Sequence, residues 1–257
     1  MLGEGILLKF NNTILQSILR LGHGFLDLLY PQDCLTCGCM IPDDGELRHL
    51  CPSCFLEVEL FRSPCCYLCG IPYQGMVSGP RACPNCLELK PSYNEGKTVF
   101  HLHGPMRALI HSLKYEKGTF ALVDLVAVVL MSPGLQEYLT GATLVPVPLH
   151  PWRHLQRSYN QSELLARMLS RLVPGTRVEN LLRRVRWTGS QTRLSRQQRR
   201  ENLRDAFALR KETTIDPHNR YVVLDDVFTT GATLNACALV LRDAGAVNLD
   251  MVALGHG

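Results

Sequence analysis

Long apolar runs are missing from this chain of 257 residues. The longest, 121–131, falls well short of the ~18 residues a membrane helix needs and carries Asp124 inside it, so no membrane span is expected. The amino end, M-L-G-E-G-I-L-L-K-F-N-N, puts an acid ahead of its first base and breaks its apolar stretch at Lys9. That is not the layout of a secretory signal, and a cytoplasmic protein is expected. Charged residues are 19% of the chain against 46% hydrophobic, which excludes a disordered chain. At ~150 residues per domain the length suits one or two domains.

Acids are scarce in one stretch. Between 151 and 210 fourteen arginines face four acids (Glu163, Glu179, Glu201 and Asp205), a net +10 in a chain whose total is +4, so the remainder carries −6. No lysine stands among these bases. Guanidinium groups in such density suit bidentate contact with phosphate or nucleic acid, although amphipathic helices with solvated basic faces have the same composition. Aromatics are 7% of the chain, leaving few rings to stack bases beside the arginines.

Cysteine, by contrast, is concentrated. Ten of eleven lie between Cys34 and Cys86, and eight form four C-x2-C pairs: Cys34/Cys37, Cys51/Cys54, Cys66/Cys69 and Cys83/Cys86. Thirteen residues separate Cys37 from Cys51 and again Cys69 from Cys83, and a shift of 32 places lays the first quartet on the second. The turn inside a C-x2-C pair lets two thiolates point at one ion, and two pairs complete a tetrahedral sulfur shell suited to zinc. Four cysteine ligands leave no position open for water or substrate, so two structural zinc ribbons in tandem are expected. Disulfides would belong to an oxidising compartment, and an iron–sulfur cluster is also compatible with thiolate shells. The spacing leaves open whether each quartet holds its own ion or the pairs interleave. Cys39 and Cys65 fall outside the register and read as spare thiols or neighbours of the ligands, and Cys237 as a small buried apolar residue.

Ahead of the cysteines, Ile14, Leu15, Ile18, Leu21, Phe25, Leu28 and Leu29 recur at helical spacing until Pro31. This amphipathic helix packs on its own protein or, alternatively, on a membrane surface or partner. Behind them P-S-Y-N-E-G marks a linker. Strand patterns at 98–103, 143–147, 221–227 and 247–254 then alternate with helical patterns at 105–114, 120–130, 161–172, 196–204 and 233–244. Alternation with nearly all-apolar strands predicts an α/β domain built on a parallel sheet covered on both faces. Ligands in such sheets sit beyond the carboxyl ends of the strands. One such end is chemically loaded, since Y-V-V-L-D-D-V-F-T-T-G-A-T-L runs a buried strand into two acids, a Thr/Gly loop and a helix. Thr229, Thr230, Gly231, Ala232 and Thr233 offer N–H groups and hydroxyls where the helix dipole favours an anion. The lysine of a G-x-x-x-x-G-K-[ST] loop is lacking. Asp225 and Asp226 repel phosphate but suit sugar hydroxyls or a magnesium shell.

V-V-L-D-D-V-F-T-T-G-A-T resembles the phosphoribosyl pyrophosphate (PRPP) signature of type I phosphoribosyltransferases. The resemblance implies that Asp225 and Asp226 hold the ribose hydroxyls and that Thr229, Thr230, Gly231, Ala232 and Thr233 hold the 5′-phosphate. Further segments are similar to the ComF/GntX family, which joins a cysteine-rich zinc region to a phosphoribosyltransferase-like domain: F-L-D-L-L-Y-P-Q-D-C-L-T-C-G, I-H-S-L-K-Y, V-P-V-P-L-H with R-S-Y-N-Q, and R-W-T-G-S-Q-T-R-L-S-R-Q-Q-R-R-E-N-L-R-D-A-F. Ser158 stands where that family usually has glycine. By this resemblance the chain divides into an amino-terminal amphipathic helix at 1–30, a double zinc ribbon at 31–92 and a phosphoribosyltransferase-like domain at 93–257. Lys114, Arg157 and Arg199 or Arg200 would meet the pyrophosphate with magnesium, Lys114, Arg199, Asp225 and Asp226 carrying the chemistry, and 191–202 would act as a lid. Two functions are implied: transfer of phosphoribosyl from PRPP to a nitrogen acceptor, or a non-catalytic role in competence and DNA uptake, binding single-stranded DNA or a helicase partner. The resemblance leaves a homodimer open.

Overall fold

A computed structural model describes residues 33–41, 47–73, 75, 79–115, 118–149, 159–186, 203 and 205–257. The amino-terminal helix, Arg157, Ser158, Arg199, Arg200 and the lid segment 191–202 lie outside these residues, as does the helix expected at 196–204 apart from Leu203. Two short helices, α1 (Pro52–Phe55) and α2 (Pro84–Leu89), belong to the cysteine-rich part. Each opens with proline directly after a cysteine, where proline's fixed φ and missing N–H cost a helix nothing.

The rest alternates: β1 (Gly96–His101), α3 (Gly104–Tyr115), α4 (Ala121–Leu130), α5 (Leu135–Leu139), β2 (Thr143–Pro146), α6 (Gln161–Leu172), β3 (Arg177–Val178), β4 (Leu182–Arg184), β5 (Phe207–Leu209), β6 (Arg220–Phe228), α7 (Ala232–Asp243) and β7 (Asn248–His256). Five strands pair in parallel in the order β1-β7-β6-β2-β3, and β4 and β5 form a separate antiparallel pair. The four expected strands are the four longer strands of this sheet, displaced by one or two residues at their ends. The expected parallel α/β fold is thus what the chain adopts.

Side chains alternate across a strand, and the two faces separate cleanly. Val99, Leu144, Val222, Leu224, Val252 and Leu254 pack with α3, α4 and α6 on one face. Val145, Tyr221, Val223, Leu249, Met251 and Ala253 pack with α7 on the other. The cysteine-rich part is shared between them, since Cys34, Cys51 and Cys54 join the first core and Cys66, Cys69 and Cys86 join the second.

Strand β1 has β7 on its inner side and the cysteine-rich part on its outer side. Phe61 donates its N–H to the Val99 carbonyl at 2.8 Å, Gly96 donates to Tyr67 at 2.9 Å, and the Thr98 hydroxyl donates to the Cys69 carbonyl at 2.6 Å. Gly70, at φ +72°, presses so closely that a Cβ there would lie 2.2 Å from the Thr98 nitrogen. These contacts satisfy an edge that would otherwise offer unpaired backbone groups to other chains.

A buried acid adds a polar tie to the apolar docking of the first ribbon. Asp124 on α4, 1% exposed, accepts N–H bonds from Arg48 at 3.1 Å and His49 at 2.6 Å. The sequence marks it as the one acid in an apolar run, and the structure gives its purpose. Asp124→Ala strands two amides and should cost about 1–3 kcal/mol; calorimetric melting with no loss of stability would contradict this docking.

Candidate functional site

Each cysteine quartet closes on itself. The sulfurs of Cys34, Cys37, Cys51 and Cys54 all lie within 4.8 Å of one another, as do those of Cys66, Cys69, Cys83 and Cys86. Cys37 and Cys51 are 3.7 Å apart, and so are Cys69 and Cys83. A tetrahedron with Zn–S bonds of ~2.3 Å has edges of roughly 3.8 Å, whereas a disulfide needs ~2.05 Å. Amides steady the sulfurs, with Cys51 N–H on Cys34 Sγ at 3.4 Å and Cys83 N–H on Cys66 Sγ at 3.2 Å. The donor sets fit structural zinc, one ion per quartet without interleaving. Cys39 lies 3.3 Å from Cys37 as a fifth thiol beside the first quartet, while Cys65 bonds the Arg62 carbonyl and Cys237 is fully buried in the second core.

The second constellation lies at the carboxyl ends of β2 and β6, which pair as Val145↔Val223 and Pro146↔Leu224. From β2 the chain crosses through α6 to β3 on one side, and from β6 through α7 to β7 on the other. Neighbouring strands whose crossovers depart to opposite faces leave a crevice between them, the usual ligand position in open α/β sheets.

Asp225 and Asp226 stand at this point. Lys114, in the last turn of α3, places Nζ 2.8 Å from Asp226 Oδ2, with both side chains mostly buried. Asp225 Oδ1 accepts from the Ser162 hydroxyl at 3.1 Å and from the Asp226 N–H at 2.9 Å. Burial, reinforced by the neighbouring Asp226 charge, pushes the Asp225 carboxyl up to about 7 against the opposing pull of Lys114. The α6 end that supplies Ser162 is fixed by Asn160, whose side chain accepts from Ser162 N–H at 3.2 Å and donates to the Val147 carbonyl at 3.0 Å. Beside it Gln161 is 2% exposed, and its amide nitrogen has no hydrogen-bond partner among the described residues. Tyr159 donates to the Leu113 carbonyl at 2.6 Å, tying this entry to the turn that carries Lys114.

The loop follows directly. Thr229 is exposed, Thr230 and Ala232 are buried, and Gly231 takes φ +76° as the cap of α7. A Cβ on Gly231 would meet the Phe228 ring at 2.8 Å and Leu89 at 2.9 Å, so glycine is required on both conformational and spatial grounds. The structure therefore brings Lys114, Asp225, Asp226 and the 229–233 loop into one region. Gln161 is the last residue of the R-S-Y-N-Q block and Ser162 directly follows it, yet neither carries a sequence signal of its own for a site role.

The family model of the double zinc ribbon domain matches residues 25–87. Competence protein F of Haemophilus influenzae is 33% identical over 212 residues, covering 80% of this chain and 90% of that protein. The chain belongs to the ComF/GntX family. DNA utilization protein YhgH of Salmonella typhi is 32% identical across 84% of this ComF/GntX chain and 94% of its own length. Competence protein ComFC of Streptococcus pneumoniae is 26% identical across 68% and 81%. A hypoxanthine phosphoribosyltransferase of Staphylococcus aureus superposes on 52% of this chain and 61% of its own at 14% identity and a TM-score of 0.31, too loose to speak to chemistry. Among the described residues of this ComF/GntX chain no helix is long and apolar enough to cross a membrane.

Protein purified without chelators should carry two zinc ions per chain, and stripping them should unfold the ribbons, because thiolate assembly and local folding are one event. Less than one zinc, with thiols oxidised in pairs, would contradict the metal assignment. The raised Asp225 carboxyl generates a second expectation. Folded Asp225 keeps its proton up to about pH 7 while the unfolded chain loses it near 3.8, so wild type loses stability as pH rises through that window. Asp225→Asn should therefore raise the melting temperature, by about 2–8 °C at pH 8 and by less at pH 5. An equal change at both pH values would argue against a charge buried at this position.

Proposed function

We propose that this protein binds PRPP at the β6 end and transfers its phosphoribosyl group to a nitrogen acceptor. The observation that carries this reading is the adjacency of an acid pair, one member of it bound to Lys114, and a Thr/Gly loop at a helix start. Neither half alone suits PRPP, which presents hydroxyls and phosphate a few ångströms apart. Asp225 and Asp226 accept hydrogen bonds from the ribose hydroxyls, and the N–H groups and hydroxyls of Thr229, Thr230, Gly231, Ala232 and Thr233 receive the 5′-phosphate.

Breaking the bond from ribose C1 to pyrophosphate separates a cationic sugar from a departing anion, so positioning and electrostatics dominate the barrier. Two adjacent carboxylates beside a phosphate-bearing ligand are a donor set that fits magnesium, an ion held through one or two carboxylates and substrate phosphates. When bound, it neutralises charge gathering on the pyrophosphate. Lys114 already pairs with Asp226 at 2.8 Å, holding that carboxylate in place before ligand arrives, and its ammonium is proposed to assist the leaving group. Arg157 and Arg199 are proposed for the same anion.

A second reading draws on the relatives named for competence and DNA utilization. In it the protein serves DNA uptake without turnover, binding single-stranded DNA or a helicase partner through the ribbons and the basic segment. Several described arginines of that segment have structural duties: Arg183 donates to the Leu209 carbonyl at 3.0 Å, Arg210 to the Leu182 carbonyl at 3.3 Å, and Arg184 lies 5.4 Å over the Phe207 ring, all bracing the β4–β5 pair. Arg186 is exposed and stands next to that pair. The two readings share the PRPP site and differ in turnover.

Asp225→Ala/Asp226→Ala should abolish the thermal stabilisation that PRPP with magnesium gives to wild type, while leaving the fold intact. Equal ligand response in both proteins would remove the assignment. Pyrophosphate release with an amine present favours the enzyme, and salt-steep DNA binding without release favours the DNA role.

A further inference from the structure

The second ribbon touches the phosphate loop. Helix α2 begins directly after one metal ligand, Cys83, and contains another, Cys86. Its Asn85 donates from Nδ2 to the Thr230 carbonyl at 3.4 Å, and its last residue, Leu89, is the side chain that would meet a Cβ on Gly231 at 2.9 Å. Just beyond, the Ser92 N–H bonds Asn235 Oδ1 in the first turn of α7 at 2.8 Å, and Arg242 of α7 returns to the Ser92 carbonyl at 3.1 Å and to Asn94 at 2.8 Å. Cys66, Cys69 and Cys86 are buried in one cluster with Phe228, Ala232 and Leu234. The metal-holding turn and the loop are thus opposite walls of one packed layer. Cys34, Cys51 and Cys54 of the first quartet are buried with the other face of the sheet.

The geometry points to Asn85 and Leu89 as positioning residues for the phosphate loop, so that 5′-phosphate affinity depends on the second zinc ribbon and not on the first. This rests on the PRPP reading above and deepens it. A left-handed Gly231 flanked by two side chains holds its conformation because Phe228 and Leu89 leave it no room to relax. Asn85 fixes the carbonyl of the residue before it. Metal in the second quartet anchors α2 at both Cys83 and Cys86, and loss of that anchor frees both contacts together.

The test uses the full-length zinc-loaded protein, with Asn85→Ala, Asn85→Ala/Leu89→Ala and, for the first ribbon, Cys34→Ser/Cys37→Ser. Ribose 5-phosphate reads the loop together with the acid pair, pyrophosphate reads the Lys114 side proposed for the leaving group, and hydrogen exchange reads the amides of 230–233 without any ligand. The double variant should retain two zincs, weaken ribose 5-phosphate roughly tenfold, leave pyrophosphate unchanged and accelerate exchange at 230–233. The first-ribbon variant should leave that exchange as in wild type. Unchanged exchange in the double variant, or equal weakening of both ligands, overturns the inference. If wild type binds neither ligand yet exchange is still accelerated, the PRPP reading fails and the mechanical coupling stands.

Discussion

The outer edge of β1 must be covered, and much of the molecule is arranged around meeting that need. A parallel sheet with helices on both faces still exposes backbone donors and acceptors at its rim. Here the covering comes from the cysteine-rich part, through Phe61 on Val99, Tyr67 on Gly96 and Cys69 on Thr98. Segments this short bury little surface of their own and gain their rigidity from metal. Zinc therefore stabilises the sheet indirectly, by holding the backbone that completes it.

From that edge the two ribbons diverge. The first reaches α4 and is caught by Asp124, whose carboxylate meets two amides in an otherwise apolar layer. The second reaches α7 and the turn that precedes it. The site lies between these attachments, with Lys114 delivered by the helix on the first face and the Thr/Gly loop by the helix on the second. Two adjacent carboxylates at the middle of a sheet are unfavourable alone. One is offset by a lysine at 2.8 Å, and the other is left with a serine, a backbone N–H and a carboxyl raised to about 7. Such a pair suits a ligand that brings hydroxyl donors, and stability given up there is a common feature of binding sites.

Much of this was legible in the sequence, for reasons that differ by element. The cysteine quartets were legible because ligand chemistry fixes their spacing. The strands at β1, β2, β6 and β7 were legible because burial leaves short apolar clusters, Val99–Phe100, Leu144–Val145, Tyr221–Leu224 and Met251–Leu254, between helical patterns. Asp225, Asp226 and the 229–233 loop were legible because strand, acids and loop are contiguous. By contrast β3 is two residues with no fully buried position, and β4 and β5 are three residues each, too short to show a period. Ser162, Asn85 and Leu89 matter through neighbours 63, 145 and about 140 positions away, a distance at which composition and spacing carry no signal. That each quartet takes its own ion could not be decided from spacing, because both pairings satisfy it, and the sulfur distances supply the answer.

We place the acid pair and the loop in one site for one ligand, with ribose and 5′-phosphate bound at once. The most direct measurement is calorimetric titration of the zinc-loaded protein with PRPP in magnesium, repeated with ribose 5-phosphate present in excess. One site per chain is expected, with competitive loss of PRPP heat as ribose 5-phosphate fills the loop and the acid pair. Saturable PRPP binding that ribose 5-phosphate does not displace, or no heat at all from a folded protein carrying two zincs, would contradict it.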